Sequence, residues 1–368
     1  MEMNLSKLFK KIQPKNCFIG FDGFTDEIIS VVDKALDANN QTYFQTMISF
    51  GKKLTDASNK SCNFELVVKQ TKLGGNAPIF TNALLEGGHT IVFAGAIGEG
   101  QAEPIFEPMA NRCAQVFPIA KSAKTEALEF KDGKIILGKM DSLKKITFDH
   151  LLSEIGQKNL IEILDKSHLF VSVNWTMLPH LTGIWKNILK QAPNFSKKDF
   201  SRIMFVDFAD PSKRTLKDLK EALATLNELN NYYNVIIGLN IAEAEIVSKL
   251  FGIEYQTQSI ETIKNSTYEL FNQLKVFRIL VHHATFAISQ DRDDQIHLPT
   301  LHVEEPVLTT GAGDNFNAGY CNALLYELEK RDILMAAIAT AGFYVRFGHS
   351  PSLKELEAFC KSSTSRGS

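Results

Sequence analysis

Short runs of β-branched and aromatic residues recur at Cys17–Phe21, Ile91–Ala94, Leu169–Val173, Ile203–Val206, Val235–Leu239 and Arg278–Val281, with stretches of helical periodicity between them. These runs are continuously apolar rather than alternating, so each predicts a strand buried on both faces. Strands of that kind belong to a mostly parallel sheet with helices on both faces, a three-layer α/β architecture. In such sheets ligands gather at the carboxyl ends of the strands.

One stretch breaks the pattern. Thr125 to Gly138 mixes polar with apolar residues around Asp132-Gly133, a pair suited to a turn with positive φ, and predicts a β-hairpin. A hairpin with one face toward solvent or ligand can serve as a flap over a site or as an ordinary surface element. Thr55–Asn63 and Gln191–Asp199 are polar and read as loops. We expect a single large domain over 1–360, with a β lid including about 124–140, and a disordered tail over 361–368.

The 40 basic and 42 acidic residues nearly cancel, so no broad positive field exists to hold nucleic acid or an anionic membrane, and a small-molecule substrate is expected. The cysteines Cys17, Cys62, Cys113, Cys321 and Cys360 are scattered without a CxxC pair, as in a reducing compartment. No run approaches the roughly 18 apolar residues of a membrane span, and Met1–Asn16 lacks a secretory pattern. A cytoplasmic enzyme is expected.

The chemistry concentrates in Leu308-Thr-Thr-Gly-Ala-Gly-Asp-Asn-Phe-Asn-Ala-Gly-Tyr320. Apolar residues at Ala318, Cys321, Leu325 and Leu328 place a helix immediately after the glycines. Gly311 and Gly313 let backbone amides converge on an anion, where the helix dipole adds positive charge. Asp314 then stands at the helix start, where that dipole favours an ionised carboxylate able to accept a proton. A base beside a phosphate-binding turn is what phosphoryl transfer to an alcohol requires. The plainer alternative is a glycine turn with Asp314 as a helix cap.

Thr310-Gly-Ala-Gly-Asp314 with Phe316, Ala318 and Gly319 resembles the carboxyl-terminal signature of the ribokinase-like, or PfkB, carbohydrate kinases. Gly74-Gly75-Asn76 through Asn82 to Gly87-Gly88 is similar to their amino-terminal signature, and Asn240-Ile-Ala-Glu243 to their N-x-x-E element. The resemblance spans about Phe18 to Phe359. It implies a ribokinase-like fold, ATP and Mg2+ as cofactors, catalysis by Asp314 with the amides of Gly311, Ala312 and Gly313, and a small sugar bound by Asp26, Gly74, Gly75 and Asn76. It also implies ATP along Asn240, Glu243, His283, Gly311 and Gly313, with Asn240 and Glu243 orienting waters around the magnesium ion. In Gly20-Phe-Asp-Gly-Phe-Thr-Asp26 the sugar aspartate of the family matches Asp26 best, with Asp22 as competitor; either can instead cap a turn. Asp207 falls at the family's D-x-N-x-R segment, and a homodimer through the lid is a further expectation.

Three departures stand out. Ile79 occupies the place of a sugar-binding asparagine, leaving Asn76 or Asn82 to substitute. Leu308 replaces an acidic residue associated with monovalent cations, and His283 and Phe286 replace glycines of a nucleotide-side turn. Neighbouring His282 and His283 point to opposite faces if they lie on a strand, which disfavours a shared metal. The small residues of Ile333–Val345 suit close helix packing. The expected activity is phosphorylation of a hydroxyl, a primary alcohol, on a small sugar. The alternatives are a nucleoside kinase, for which Phe21 and Phe24 are candidate stacking residues, and a noncatalytic sugar or nucleotide sensor.

Overall fold

The computed structural model describes residues 13–37, 40–196, 201–301 and 303–364. Its strands are β1 (Asn16–Phe21), β2 (Phe24–Ala35), β3 (Gln41–Tyr43), β4 (Leu66–Gly74), β5 (Thr90–Gly95), β6 (Gly98–Glu99), β7 (Gln115–Ala120), β8 (Ala123–Phe130), β9 (Gly133–Lys139), β10 (Leu169–Ser172), β11 (Ile203–Asp207), β12 (Asn234–Asn240), β13 (Arg278–His282), β14 (Phe286–Asp291) and β15 (Gln295–Pro299). All six expected core strands are present, each with bounds within one residue of the apolar run.

The main sheet runs β15-β14-β13-β12-β11-β10-β1-β5-β7-β6. From β13 to β7 every neighbour is parallel, and antiparallel partners lie only at the two ends. Alternate residues of the central strands feed opposite layers. Phe18, Phe170, Met204 and Val206 join one apolar core, while Cys17, Ile19, Leu169, Val171 and Phe205 join the other. Because both faces are covered, no polar alternation survives in these strands, which is why their sequences read as continuous apolar runs.

The second core is closed by the helices Asn76–Leu85, Ala312–Leu325 and Lys330–Phe347. A Cβ on Gly319 would sit 2.6 Å from Thr340 Oγ1 and 3.2 Å from Ala337 Cα, so the helix that begins at Ala312 lies hard against the Ala-rich helix. The small residues of Ile333–Val345 therefore act in packing, as their composition suggests, and they fix the height of the helix that carries Asp314.

A second sheet, the lid sheet, contains the hairpin expected as a lid and has β2 at its centre: β4 pairs antiparallel and β8 parallel with the first part of β2, β3 pairs with its far end, and β9 completes the β8 hairpin. The hairpin turns at residues 131–132, one residue earlier than expected, with Phe130 paired to Gly133. The lid has its own small core, where Phe44, Phe50, Phe64 and Phe130 pack with Ile29, Val31 and Leu128 under the helix Met47–Asp56. It is thus larger than the hairpin that sequence predicts. Leu66 and Val68 on β4 and Ile136 and Leu137 on β9 remain exposed along its edges.

Two boundaries move. The helix Met47–Asp56 enters the expected loop at Thr55, and the last helix, Leu353–Thr364, continues past residue 360, with Lys361 bonded to Glu357 at 2.6 Å. Part of the other expected loop, residues 197–199, lies outside the described residues, as do 365–368. No helix among the described residues is long and apolar enough to cross a membrane.

Candidate active site

The carboxyl ends of the parallel strands deliver Asp22 after β1, Asn174 after β10, Asp207 on β11, Asn240 on β12 and His282 on β13. Asp22 is fully buried. Its carboxylate accepts the amides of Asn76 and Ala77 at 2.9 and 2.8 Å and the side-chain amide of Asn174 at 2.7 Å. The helix Asn76–Leu85 starts from Gly75, which offers no side-chain cap, so Asp22 supplies that cap from another strand. Burial raises its carboxyl to about 6 and the donated hydrogen bonds hold it down. Of the two aspartates left open by the sequence, Asp22 is the structural one.

Asp26 lies on β2 rather than in a loop, opposite Lys72 of β4 and Thr125 of β8. Burial raises its pKa, while the Thr125 hydroxyl and the charges of Lys72 and Lys134 pull it back. It faces a cleft of about 1300 Å³ between lid and main sheet, with Gly75, Asn76, Ile79, Asn82, Lys134 and Thr310 among the lining residues. Gly74 makes room for this carboxylate: a Cβ there would stand 2.3 Å from Asp26 Oδ2. Gly74→Ala is expected to push the Asp26 side chain aside and raise the KM for the cleft ligand about tenfold, the loss of one charge-assisted hydrogen bond. Steady-state kinetics check this, and an unchanged KM would remove Asp26 from ligand contact.

The glycine turn sits across the cleft. Gly311 has φ 89°, and a Cβ there would meet the Tyr344 hydroxyl at 2.8 Å. That hydroxyl donates to the Thr310 carbonyl at 2.9 Å, and the amides of Val307 and Leu308 reach the Val345 carbonyl at 2.9 and 3.3 Å, so the turn is braced by the Ala-rich helix. Ala312 donates its amide to the Thr309 carbonyl, whereas the amides of Gly311, Gly313 and Asp314 have no acceptor among the described residues. They are the free donors of the helix start.

Asp314 is 8% exposed and lies directly behind Asn76 of the cleft lining, whose side-chain amide donates to its Oδ1 at 2.9 Å. Its Oδ2 accepts nothing from any described residue. Burial raises its pKa well above the usual carboxylate range, and the charges of Asp207, Asp22 and Glu243 add to the rise. This corrects the expectation that the helix dipole alone keeps Asp314 ionised: desolvation and three nearby carboxyl groups outweigh it.

Asn240 and Glu243 form a reciprocal capping box at the helix Ile241–Lys249, Asn240 Oδ1 accepting the Glu243 amide at 3.0 Å and Glu243 Oε2 accepting the Asn240 amide at 2.8 Å. Glu243 Oε1 also accepts the amide of Asp210 at 2.9 Å. Asp207 is bonded to the Ala209 amide and to Asn317 Nδ2, each at 2.9 Å. Burial raises the pKa of both acids, and Glu243 raises Asp207 further. A raised folded pKa means that Asp207 contributes stability at acid pH that is lost as pH climbs through that value. Asp207→Asn should therefore gain on the wild type in melting temperature between about pH 5 and 8; parallel curves would contradict this.

No group of three or more His, Cys, Asp or Glu among the described residues is arranged to hold a metal by itself. The mutually repelling Asp22, Asp207, Glu243 and Asp314 nonetheless suit a divalent cation brought by phosphates and reached through water. A second hollow of about 420 Å³ opens beside them at the ends of β12 and β13, lined by Asn240, Ile241, Ala242, His282, His283 and Ala284. His283 is exposed and pairs with Thr285, while His282 is half-buried against Phe316 and Gly313 and held neutral, its pKa lowered to about 4 by desolvation and then by His283.

Asp26, Gly75 and Asn76 thus line one cleft with Thr310, Gly74 packs against Asp26, and the Gly311–Asp314 turn follows Thr310 with Asp314 bonded to Asn76. Asn240 and His283 line the second hollow, and Glu243 reaches it only through its bonds to Asn240. Asn82 lines the cleft rim, and Phe24 lines it while Phe21 is core. Sequence reasoning left Lys72, Thr125, Lys134 and Asn174 unassigned, although the hairpin and strand-end signals cover Thr125, Lys134 and Asn174.

Comparison with known proteins adds a family. The model described as prokaryotic ketohexokinase matches residues 3–362. A ketohexokinase of Haloferax volcanii is 24% identical over 353 residues, covering 95% of this chain and 92% of that protein. Among solved structures, a carbohydrate kinase from Agrobacterium tumefaciens superposes with a TM-score of 0.64 at 16% identity, covering 94% of this chain and 97% of that one. A ribokinase from Arabidopsis thaliana, solved with ribose and ATP, gives 0.65 at 15% identity, covering 95% and 99%. These structural likenesses establish a ribokinase-like fold.

Proposed function

The chain belongs to the prokaryotic ketohexokinase family and is a carbohydrate kinase, and from that premise we propose that it transfers the terminal phosphoryl group of ATP, with Mg2+, to a primary hydroxyl of a ketohexose beneath the lid. The observation that carries this reading is the pairing, at one helix start, of Asp314 Oδ2 with the amides of Gly311, Gly313 and Asp314, none of which has a hydrogen-bond partner among the described residues.

In this reading Asp26 accepts hydrogen bonds from vicinal hydroxyls of the sugar, its position guarded by Gly74. Asn76 holds Asp314 Oδ1 so that Oδ2 faces the acceptor hydroxyl. That oxygen attacks the terminal phosphorus while its proton passes to Asp314 Oδ2; the bond from phosphorus to the bridging oxygen breaks and ADP leaves. The free amides meet the charge on the transferring group. Asn240 and Glu243 would hold Mg2+ through water, and the ion would neutralise phosphate charge and draw the Asp314 pKa down. The lid excludes water.

The test is an acceptor panel of ketohexoses, aldoses and nucleosides with Mg-ATP, following ADP release. Ketohexoses should be the best acceptors. Release with nucleosides alone would favour a nucleoside kinase, for which Phe24 at the cleft wall is the available stacking residue; binding without release would favour a sensor.

A further inference from the structure

Lys134 is the second residue of β9, just past the hairpin turn. Its register partner on β8 is Glu129, yet Lys134 makes no ion pair with any described residue. Its ammonium instead crosses from the lid to the main body and donates to Thr310 Oγ1 at 3.5 Å. Thr310 immediately precedes the Gly311 turn, and its carbonyl is already taken by Tyr344. The charge of Lys134 is also felt at Asp26. The ammonium therefore stands between the carboxylate assigned to the sugar and the turn assigned to the phosphoryl group.

The hairpin tip is not loose. Asp132 Oδ1 accepts the Met47 amide at 2.7 Å, and the Lys131 amide donates to the Gln45 carbonyl at 2.8 Å, so the lid core holds the strand that carries Lys134. With no ion pair to any described residue and only a longer-range pull on Asp26, this cation at the mouth of the turn can act on negative charge that arrives there. Resting on the kinase reading above, we propose that Lys134 is a catalytic residue contributed by the lid, an ammonium that contacts the phosphoryl group in flight between ATP and the sugar. It keeps its proton throughout. The hydroxyl proton goes to Asp314, and Lys134 offsets the charge that builds on the equatorial oxygens as the bond to ADP breaks.

The experiment compares wild type, Lys134→Met and Lys134→Arg at saturating Mg-ATP and ketohexose, with thermal melting to confirm folding. Lys134→Met should lower kcat about 10–100-fold while the sugar KM stays within about threefold, and Lys134→Arg should recover most of the loss. Inhibition by ADP with aluminium fluoride in the presence of sugar, which mimics the group in flight, should weaken by the same factor as kcat. A kcat for Lys134→Met near that of wild type would overturn the proposal. So would a raised sugar KM at normal kcat, the mark of a residue that only latches the lid, or an arginine variant as poor as the methionine one. If the wild type releases no ADP with any sugar, the kinase reading falls and this proposal with it.

Discussion

Asp314→Asn is expected to lower turnover by about 10²–10⁴-fold, the range for loss of a general base, while ATP affinity changes little. The amide has nearly the shape of the carboxyl, and its oxygen can still accept the hydrogen bond from Asn76 seen at 2.9 Å. It cannot take the proton of the sugar hydroxyl. The same substitution should make the ligand-free protein more stable, because it removes one of four crowded acids. Burial and the charge of Asp207 raise the Asp314 pKa, so the wild type loses this group's contribution as pH rises through that value, a loss absent from the variant. Inactivity with a higher melting temperature separates chemistry from misfolding. Turnover within a few-fold of wild type would take the base role from Asp314.

Asp22→Ala is expected to have the largest effect on stability, lowering the free energy of unfolding by about 3–5 kcal/mol, since hydrogen bonds to a charged group are worth about 1.5–3 kcal/mol each and do not add fully. Three donors converge on this fully buried carboxylate: the amides of Asn76 and Ala77 and the side chain of Asn174. All would be left unsatisfied. Because Asn76 also holds Asp314, turnover should fall as well. Urea unfolding measures the loss; a decrease below about 1 kcal/mol would show that water or rearranged backbone replaces the carboxylate at little cost.

The main sheet was legible because burial on both faces leaves an unmixed apolar signature, and the helix at Ala312 because glycine turn and periodicity coincide. The lid was legible only in part. β4 carries Lys69, Gln70, Thr71 and Lys72 on a largely exposed strand, and nothing in that composition announces a sheet. Its identity comes from pairing with β2, a contact set by the whole chain. Asp22 and Asp26 sit four residues apart in one motif, and only the fold separates the cap of the Asn76 helix from the cleft residue. At Asn240 and Glu243 the ambiguity has a different origin. A capping box and a pair of groups orienting water around a cation need the same three-residue spacing. Lys134 was hidden because its place beside Thr310, 176 residues away in sequence, exists only once the two sheets pack together.

The most direct test is the pH dependence of kcat/KM for the ketohexose in wild type and Asp314→Asn. A base whose pKa is raised by burial must lose its proton before it can work, so the wild-type rate should climb with unit slope on the acid side and then level. The variant, with no carboxyl to titrate, should lose that limb and stay low throughout. The same ascending limb in both proteins would mean that the titrating group lies elsewhere and that the helix-head carboxylate does not receive the proton.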